Sequence, residues 1–224
     1  MKLALCGMHR SGINAIGRWL LRQSPLKDKE ISPICGDWIE GIHNYSYISQ
    51  INHPEHFNYK EFITENTVAT IERESIDSIG IDGFTTVILI REYKNWLASV
   101  LKSYNRVLIQ QDMRIVMKDI RKYVSIITNK EGLNVIHYDK WCVSSDYRKG
   151  ICKKLDLTYT NAGFKDVSSN GGGSSFDGIR FDGKADKMNT LDRWKEYQYD
   201  DLFIAMLDAF PDVIRLSDKE FRAA

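Results

Sequence analysis

No two of the four cysteines, Cys6, Cys35, Cys142 and Cys152, form a C-x-x-C pair. Their spacing argues for reduced structural thiols over a disulfide framework. Nor does the chain contain the roughly 18 consecutive apolar residues that a membrane span needs. Only Leu3-Ala4-Leu5-Cys6 precedes Gly7, too short a run for a signal-peptide core. The expectation is a soluble, cytoplasmic protein that makes no membrane contact. Charge of one sign is also missing, since 31 Lys+Arg face 30 Asp+Glu for a net +1. No global field draws the molecule to nucleic acid, so any anion site must be local. The histidines His43, His53 and His56 match no usual zinc spacing, and no metal site is expected. Internal repeats are absent as well.

What is present is one substantial core. A chain of 224 residues with 43% hydrophobic content can fold as a single domain spanning 1–224. Apolar runs at Leu3–Cys6, Val68–Glu72, Thr86–Arg91 and Asn134–Tyr138 read as strands. Between them, periodic stretches through Trp19 to Leu21, Lys94–Leu108, Asp112–Asn129 and Ser145–Leu155 read as helices, the last capped by Ser144 or Ser145. Strands alternating with helices predict an α/β fold with a central, mostly parallel sheet. Lys27 to Tyr59 follows no helix or strand template. Ser168 to Ser175 is Gly/Ser-rich and anchors an expected flexible loop around 166–186. Helical periodicity resumes at Thr190–Tyr197 and Asp200–Phe210.

Two segments carry the chemistry. Gly7-Met8-His9-Arg10-Ser11-Gly12-Ile13-Asn14 lies between the first strand and the first helix. Backbone N–H groups in such a turn, with the positive end of the helix behind them, suit a phosphate. An ordinary P-loop, G-x-x-x-x-G-K-[ST], would carry lysine after the second glycine. Here Ile13 and Asn14 follow Gly12, and the cation, Arg10, comes before it. The second segment is Val87-Ile88-Leu89-Ile90-Arg91, with Ser99 eight residues on. An arginine at the end of a buried parallel strand can grip phosphate oxygens as a planar fork, and Ser99 can add a hydroxyl.

The order arginine, serine, glycine resembles the 5′-phosphosulfate loop of the sulfotransferases, whose core reads [K/R]-S-G-T-T or R-S-G-T-[ST]. In that family a strand-end arginine and a serine eight residues later hold the 3′-phosphate of 3′-phosphoadenosine-5′-phosphosulfate (PAPS), matching Arg91 and Ser99. Val135-Ile136-His137-Tyr138-Asp139 and Asp192-Arg193-Trp194-Lys195-Glu196 are similar to two later family segments. The resemblance implies a three-layer α/β sandwich of the P-loop NTPase/sulfotransferase kind. It also implies transfer of a sulfonate group from PAPS to a hydroxyl of a small molecule or glycan.

On this reading His9, Arg10, Ser11, Gly12, Ile13 and Asn14 hold the 5′-phosphosulfate, and Arg91 and Ser99 the 3′-phosphate. Backbone N–H groups of Gly172, Gly173 and Ser174 close over the donor. Arg10 is the catalytic cation, and Glu72, with Glu74 beside it, is the candidate base. His43, His53, His56 and Trp38 fall in the stretch that could form the acceptor pocket. The family's two threonines are replaced here by Ile13, which cannot donate from its side chain, and Asn14, which can. Two alternatives stay open: a phosphotransferase or NTPase using ATP and magnesium, and a catalytically silent nucleotide-binding protein.

Overall fold

A computed structural model describes residues 2–23, 67–72, 83–103, 114–167 and 173–222. Strand β1 (Lys2–Gly7) leads into α1 (Ile13–Leu21), and β2 (Thr67–Glu72) and β3 (Thr85–Ile90) follow. Next come α2 (Tyr93–Ser103), α3 (Arg114–Thr128), β4 (Asn134–His137), α4 (Tyr138–Val143) and α5 (Ser145–Lys154). After two short 3₁₀ turns, α6 (Asp201–Ala209) and α7 (Pro211–Arg222) complete the described chain.

The strands pair in parallel in the order β2-β1-β3-β4. Leu3–Cys6 of β1 and Val87–Ile90 of β3 are apolar on both faces, as a doubly covered parallel sheet requires. Ala4, Cys6, Ile88 and Ile90 face one way, against α2, α3, α6 and α7. Leu3, Leu5, Val87, Leu89 and Ile136 face the other, against α1, α4 and α5. The molecule is therefore an α/β fold with helices on both sides of its sheet. No helix among the described residues is long and apolar enough to cross a membrane.

Chain order explains where a ligand fits. From β1 the chain crosses to β2 on one side, and β3 then pairs with the opposite edge of β1. Such a reversal opens a crevice between the two connections, at the carboxyl ends of β1 and β3. The turn after β1 and the residues after β3 both open at that crevice.

Three elements differ from their sequence reading. β4 ends at His137, and Tyr138, read as a strand end, starts α4. Residues 190–197 form only a 3₁₀ turn, Arg193–Tyr197. The helix α7 has no counterpart in the periodicity reading; it begins at Pro211, whose missing N–H and fixed φ suit a first helical position. Ser144 does cap α5, its hydroxyl accepting the Tyr147 N–H at 3.0 Å.

Helix α7 is tied to β4 by a polar cluster. The carboxylate of Glu220 meets His137 Nε2 at 2.7 Å and Lys130 Nζ at 2.7 Å. A carboxylate only accepts, so Nε2 carries the proton and Nδ1 accepts from the Tyr147 hydroxyl at 3.1 Å. Burial pulls the His137 pKa below its ordinary 6.5 and outweighs the hydrogen bond and charge of Glu220; Lys140 and Lys130 add to the fall. Burial pushes Glu220 up, yet hydrogen bonds from Lys130 and His137 leave it net lowered.

Both shifts act in one direction. Between its lowered folded pKa and 6.5, His137 binds fewer protons folded than unfolded, so stability falls as pH falls through that window. The Glu220 contribution is lost further down, as pH drops through its lowered folded value. The urea midpoint is expected to fall between about pH 7.5 and about pH 5.5, a range in which histidine charges. His137→Gln should flatten that dependence, and an equally steep one in the variant would show that another group governs it.

Candidate functional site

The turn between β1 and α1 is built on two left-handed residues. Arg10 has φ 65° and Gly12 φ 94°, while Ser11 between them stays at negative φ. Alternating φ signs turn successive N–H groups toward one side, the backbone form of an anion-binding nest. A left-handed arginine is strained, and such strain concentrates at functional sites. The turn closes through Ser11 N–H to Met8 O at 3.1 Å, and Trp96 Nε1 donates to His9 O at 2.8 Å. The first helical bond of α1 runs from Ile16 N–H to Gly12 O at 3.1 Å. The N–H groups of Ile13, Asn14 and Ala15 thus have no intrahelical acceptor and need partners from outside the helix.

Side chains divide between this turn and the core. Ile13, 2% exposed, packs into the cluster around Leu5 and Leu89 and can offer a ligand only its N–H. Ser11 is 1% exposed. Among the described residues its Oγ has no hydrogen-bond partner, and neither has the buried Asn14 Oδ1. Two such buried polar groups, beside helix donors that need outside partners, are what a polar ligand would complete.

Arg91 and Ser99 come together beside this turn. Arg91 Nη1 donates to Ser99 Oγ at 2.9 Å and to Arg10 O at 3.0 Å, and Nη2 donates to Thr190 O at 3.0 Å. Both side chains are buried, 3% and 1% exposed. The guanidinium lies over the Tyr138 ring, 5.1 Å from its centroid, while Arg91 Nε is buried with no partner among the described residues. These three acceptors are neutral, and among the described residues no carboxylate forms an ion pair with Arg91. A guanidinium whose acceptors are neutral in this way still has its charge uncompensated by a direct ion pair, which a bound anion could supply.

Its surroundings carry further charge. Burial raises the Asp139 pKa, while the Glu92 N–H and the Arg91 charge work against that rise. Arg193 is a second buried guanidinium; burial first, then the nearby charge of Arg91, lowers its pKa. Arg193 Nη2 reaches Asp177 Oδ2 and Ser174 Oγ, each at 2.9 Å. Arg193 stands in the sequence between Asp192 and Trp194-Lys195, and nothing local marks it as buried. Tyr138, whose ring packs against both Gly12 and Arg91, gave no sign beyond its place in a similar segment.

The late loop is built differently from its sequence reading. Ser174 N–H donates to Gly178 O at 3.0 Å, and Gly178 N–H to Ser174 O at 2.9 Å. That N–H is therefore already engaged within the loop, and the loop reaches toward the site through Ser174 Oγ and Arg193. Gly173 is left-handed, φ 82°. Gly172 lies outside the described residues.

Glu72 is placed by its backbone alone. Its Cα pairs with Gly7 at the carboxyl end of β2, on the edge that bears the turn. Its side chain, and all of Glu74, Trp38, His43, His53 and His56, lie outside the described part. Among the described residues there is no group of three or more His, Cys, Asp or Glu able to hold a metal. No protein-family model matches this chain, and no curated protein matches it.

Proposed function

We propose that this protein is a PAPS-dependent sulfotransferase of the P-loop class, moving a sulfonate group to a hydroxyl of a small molecule or glycan. The observation that carries the reading is the Arg91–Ser99 contact of 2.9 Å at the crevice beside the β1–α1 turn. Two anion sites on neighbouring strand ends suit a ligand with two phosphate groups, and the buried Ser11 Oγ and Arg91 Nε, which have no partner among the described residues, are donors it could satisfy. In this reading the turn and the N–H groups of Ile13, Asn14 and Ala15 hold the 5′-phosphosulfate. Arg91 and Ser99 hold the 3′-phosphate. PAPS supplies the activated sulfonate. The acceptor oxygen bonds to sulfur as the bond from sulfur to the phosphate oxygen breaks. A base, assigned here to Glu72, takes the acceptor proton.

Thermal-shift titration tests the reading. Adenosine-3′,5′-bisphosphate is expected to raise the melting temperature more than AMP does, without metal, because only the former fills both sites. Equal stabilisation by the two removes the 3′-phosphate assignment, and greater stabilisation by ATP with magnesium would move the protein to the phosphotransferases. Bisphosphate binding without transfer to any acceptor would leave a silent nucleotide-binding protein.

Arg10 has a separate expected signature. Negative charge grows on the leaving phosphate in the transition state, so a cation there acts more on turnover than on ground-state binding. Arg10→Ala should lower kcat more than it weakens adenosine-3′,5′-bisphosphate. A collapse in affinity with kcat held would make Arg10 a ground-state clamp instead.

A further inference from the structure

Arg91 and Glu92 stand between the last ladder residue of β3, Ile90, and the first residue of α2, Tyr93. Their peptide groups belong to neither element, so their hydrogen bonds must come from elsewhere. Two of the α2 N-terminal donors are met locally. Glu92 accepts the Lys94 N–H at 3.0 Å and the Asn95 N–H at 2.8 Å through its own carboxylate.

Three further side chains, each from a different helix, nevertheless converge on this connection. Tyr123 of α3 donates its hydroxyl to Arg91 O at 2.7 Å. Asp139 of α4 accepts the Glu92 N–H, the other end of the same peptide group, at 2.9 Å. Ser217 of α7 accepts the Tyr93 N–H at 3.0 Å, and its Oγ lies 3.3 Å from Tyr123 Oη. Tyr123 and Ser217 are each 1% exposed, and neither hydrogen-bonds to the Arg91 guanidinium. Two consecutive peptide groups are thereby held by side chains 32, 47 and 124 residues away from their partners.

We infer that Tyr123, Asp139 and Ser217 are positioning residues, which fix the backbone of Arg91 so that its guanidinium is aimed at the 3′-phosphate before ligand arrives. The inference rests on the anion-binding role of Arg91 proposed above and extends it to residues that do not reach the ligand. Leverage makes the backbone matter: an arginine is long enough that a rotation of about 10° at its Cα moves the guanidinium by about 1 Å, a displacement that costs heavily in an aligned site. It also gives α7 a part in the site. The Glu220 contacts with Lys130 and His137, one turn beyond Ser217, hold that helix in register.

The test is the ratio of dissociation constants for AMP and adenosine-3′,5′-bisphosphate, measured by calorimetry on variants whose near-ultraviolet circular dichroism shows native packing. Tyr123→Phe, Ser217→Ala and Asp139→Ala should each lower the ratio about three- to tenfold, the span of one lost hydrogen bond, while AMP affinity holds. Asp139→Asn keeps an oxygen to accept the Glu92 N–H and should restore the ratio. Arg91→Ala is the reference. If it abolishes the preference while the three variants keep the full ratio, their role is structural and the inference fails alone. An unchanged ratio in Arg91→Ala would overturn the anion role and this inference together. Should Tyr123→Phe not fold, Ser217→Ala and the Asp139 pair decide the matter.

Discussion

Replacing Gly12 with alanine is expected to destabilise the protein by about 2–6 kcal/mol and to abolish nucleotide binding, through two separable effects. At φ 94° a side chain is strained whatever the space around it. The space is also filled, because a Cβ there would overlap Cδ2 and Cε2 of the Tyr138 ring. Tyr138 has no easy retreat: its ring stacks on Trp141 with centroids 5.9 Å apart and carries the Arg91 guanidinium on its face. Pushing the ring aside therefore moves Arg91 too. Gly132 provides the control. It has φ 79°, but nothing lies within 4 Å of the Cβ it would gain, so Gly132→Ala should cost only the backbone term, about 1–2 kcal/mol. Urea titration of both variants isolates the steric part. Equal losses would mean that Tyr138 yields without penalty.

Local features were legible in the sequence in proportion to how little they depend on distant partners. The strand–turn–helix at Gly7–Asn14 declares itself by an apolar run, two glycines and an amphipathic stretch, all within some twenty residues. Arg91 and Ser99 stand eight apart on one strand–helix connection, so their spacing already implied the contact at 2.9 Å. Thr67–Glu72, Thr85–Ile90 and Arg114–Thr128 appear close to where alternation and period placed them.

What escaped was set by long-range hydrogen bonds. Tyr138 reads as the end of a strand until Gly12, 126 positions earlier, is seen against its ring. The Ser174 N–H looked available because nothing local shows that Gly178 O engages it. Ser217 is one serine beside Asp218, Lys219 and Glu220 on α7, and only the fold brings it to Tyr93. The candidate base stayed at the level of β2 register, Glu72 opposite Gly7.

Arg91→Ala is expected to erase most of the preference for adenosine-3′,5′-bisphosphate over AMP, by about 1.5–3 kcal/mol, the range for hydrogen bonds to a charged group. That is roughly ten- to hundredfold in affinity. Ser99→Ala removes a neutral hydroxyl and should cost about 0.5–1.5 kcal/mol. Arg91→Lys discriminates between charge and shape. Lysine preserves the positive charge but has a single nitrogen on a flexible stem, whereas Arg91 reaches Arg10 O, Ser99 Oγ and Thr190 O from two nitrogens of one rigid plane. If alignment matters, lysine should behave more like alanine than like arginine in calorimetric titration. If charge alone suffices, lysine will keep most of the preference, and the fork geometry assigned to Arg91 would be wrong even though its cationic role stands.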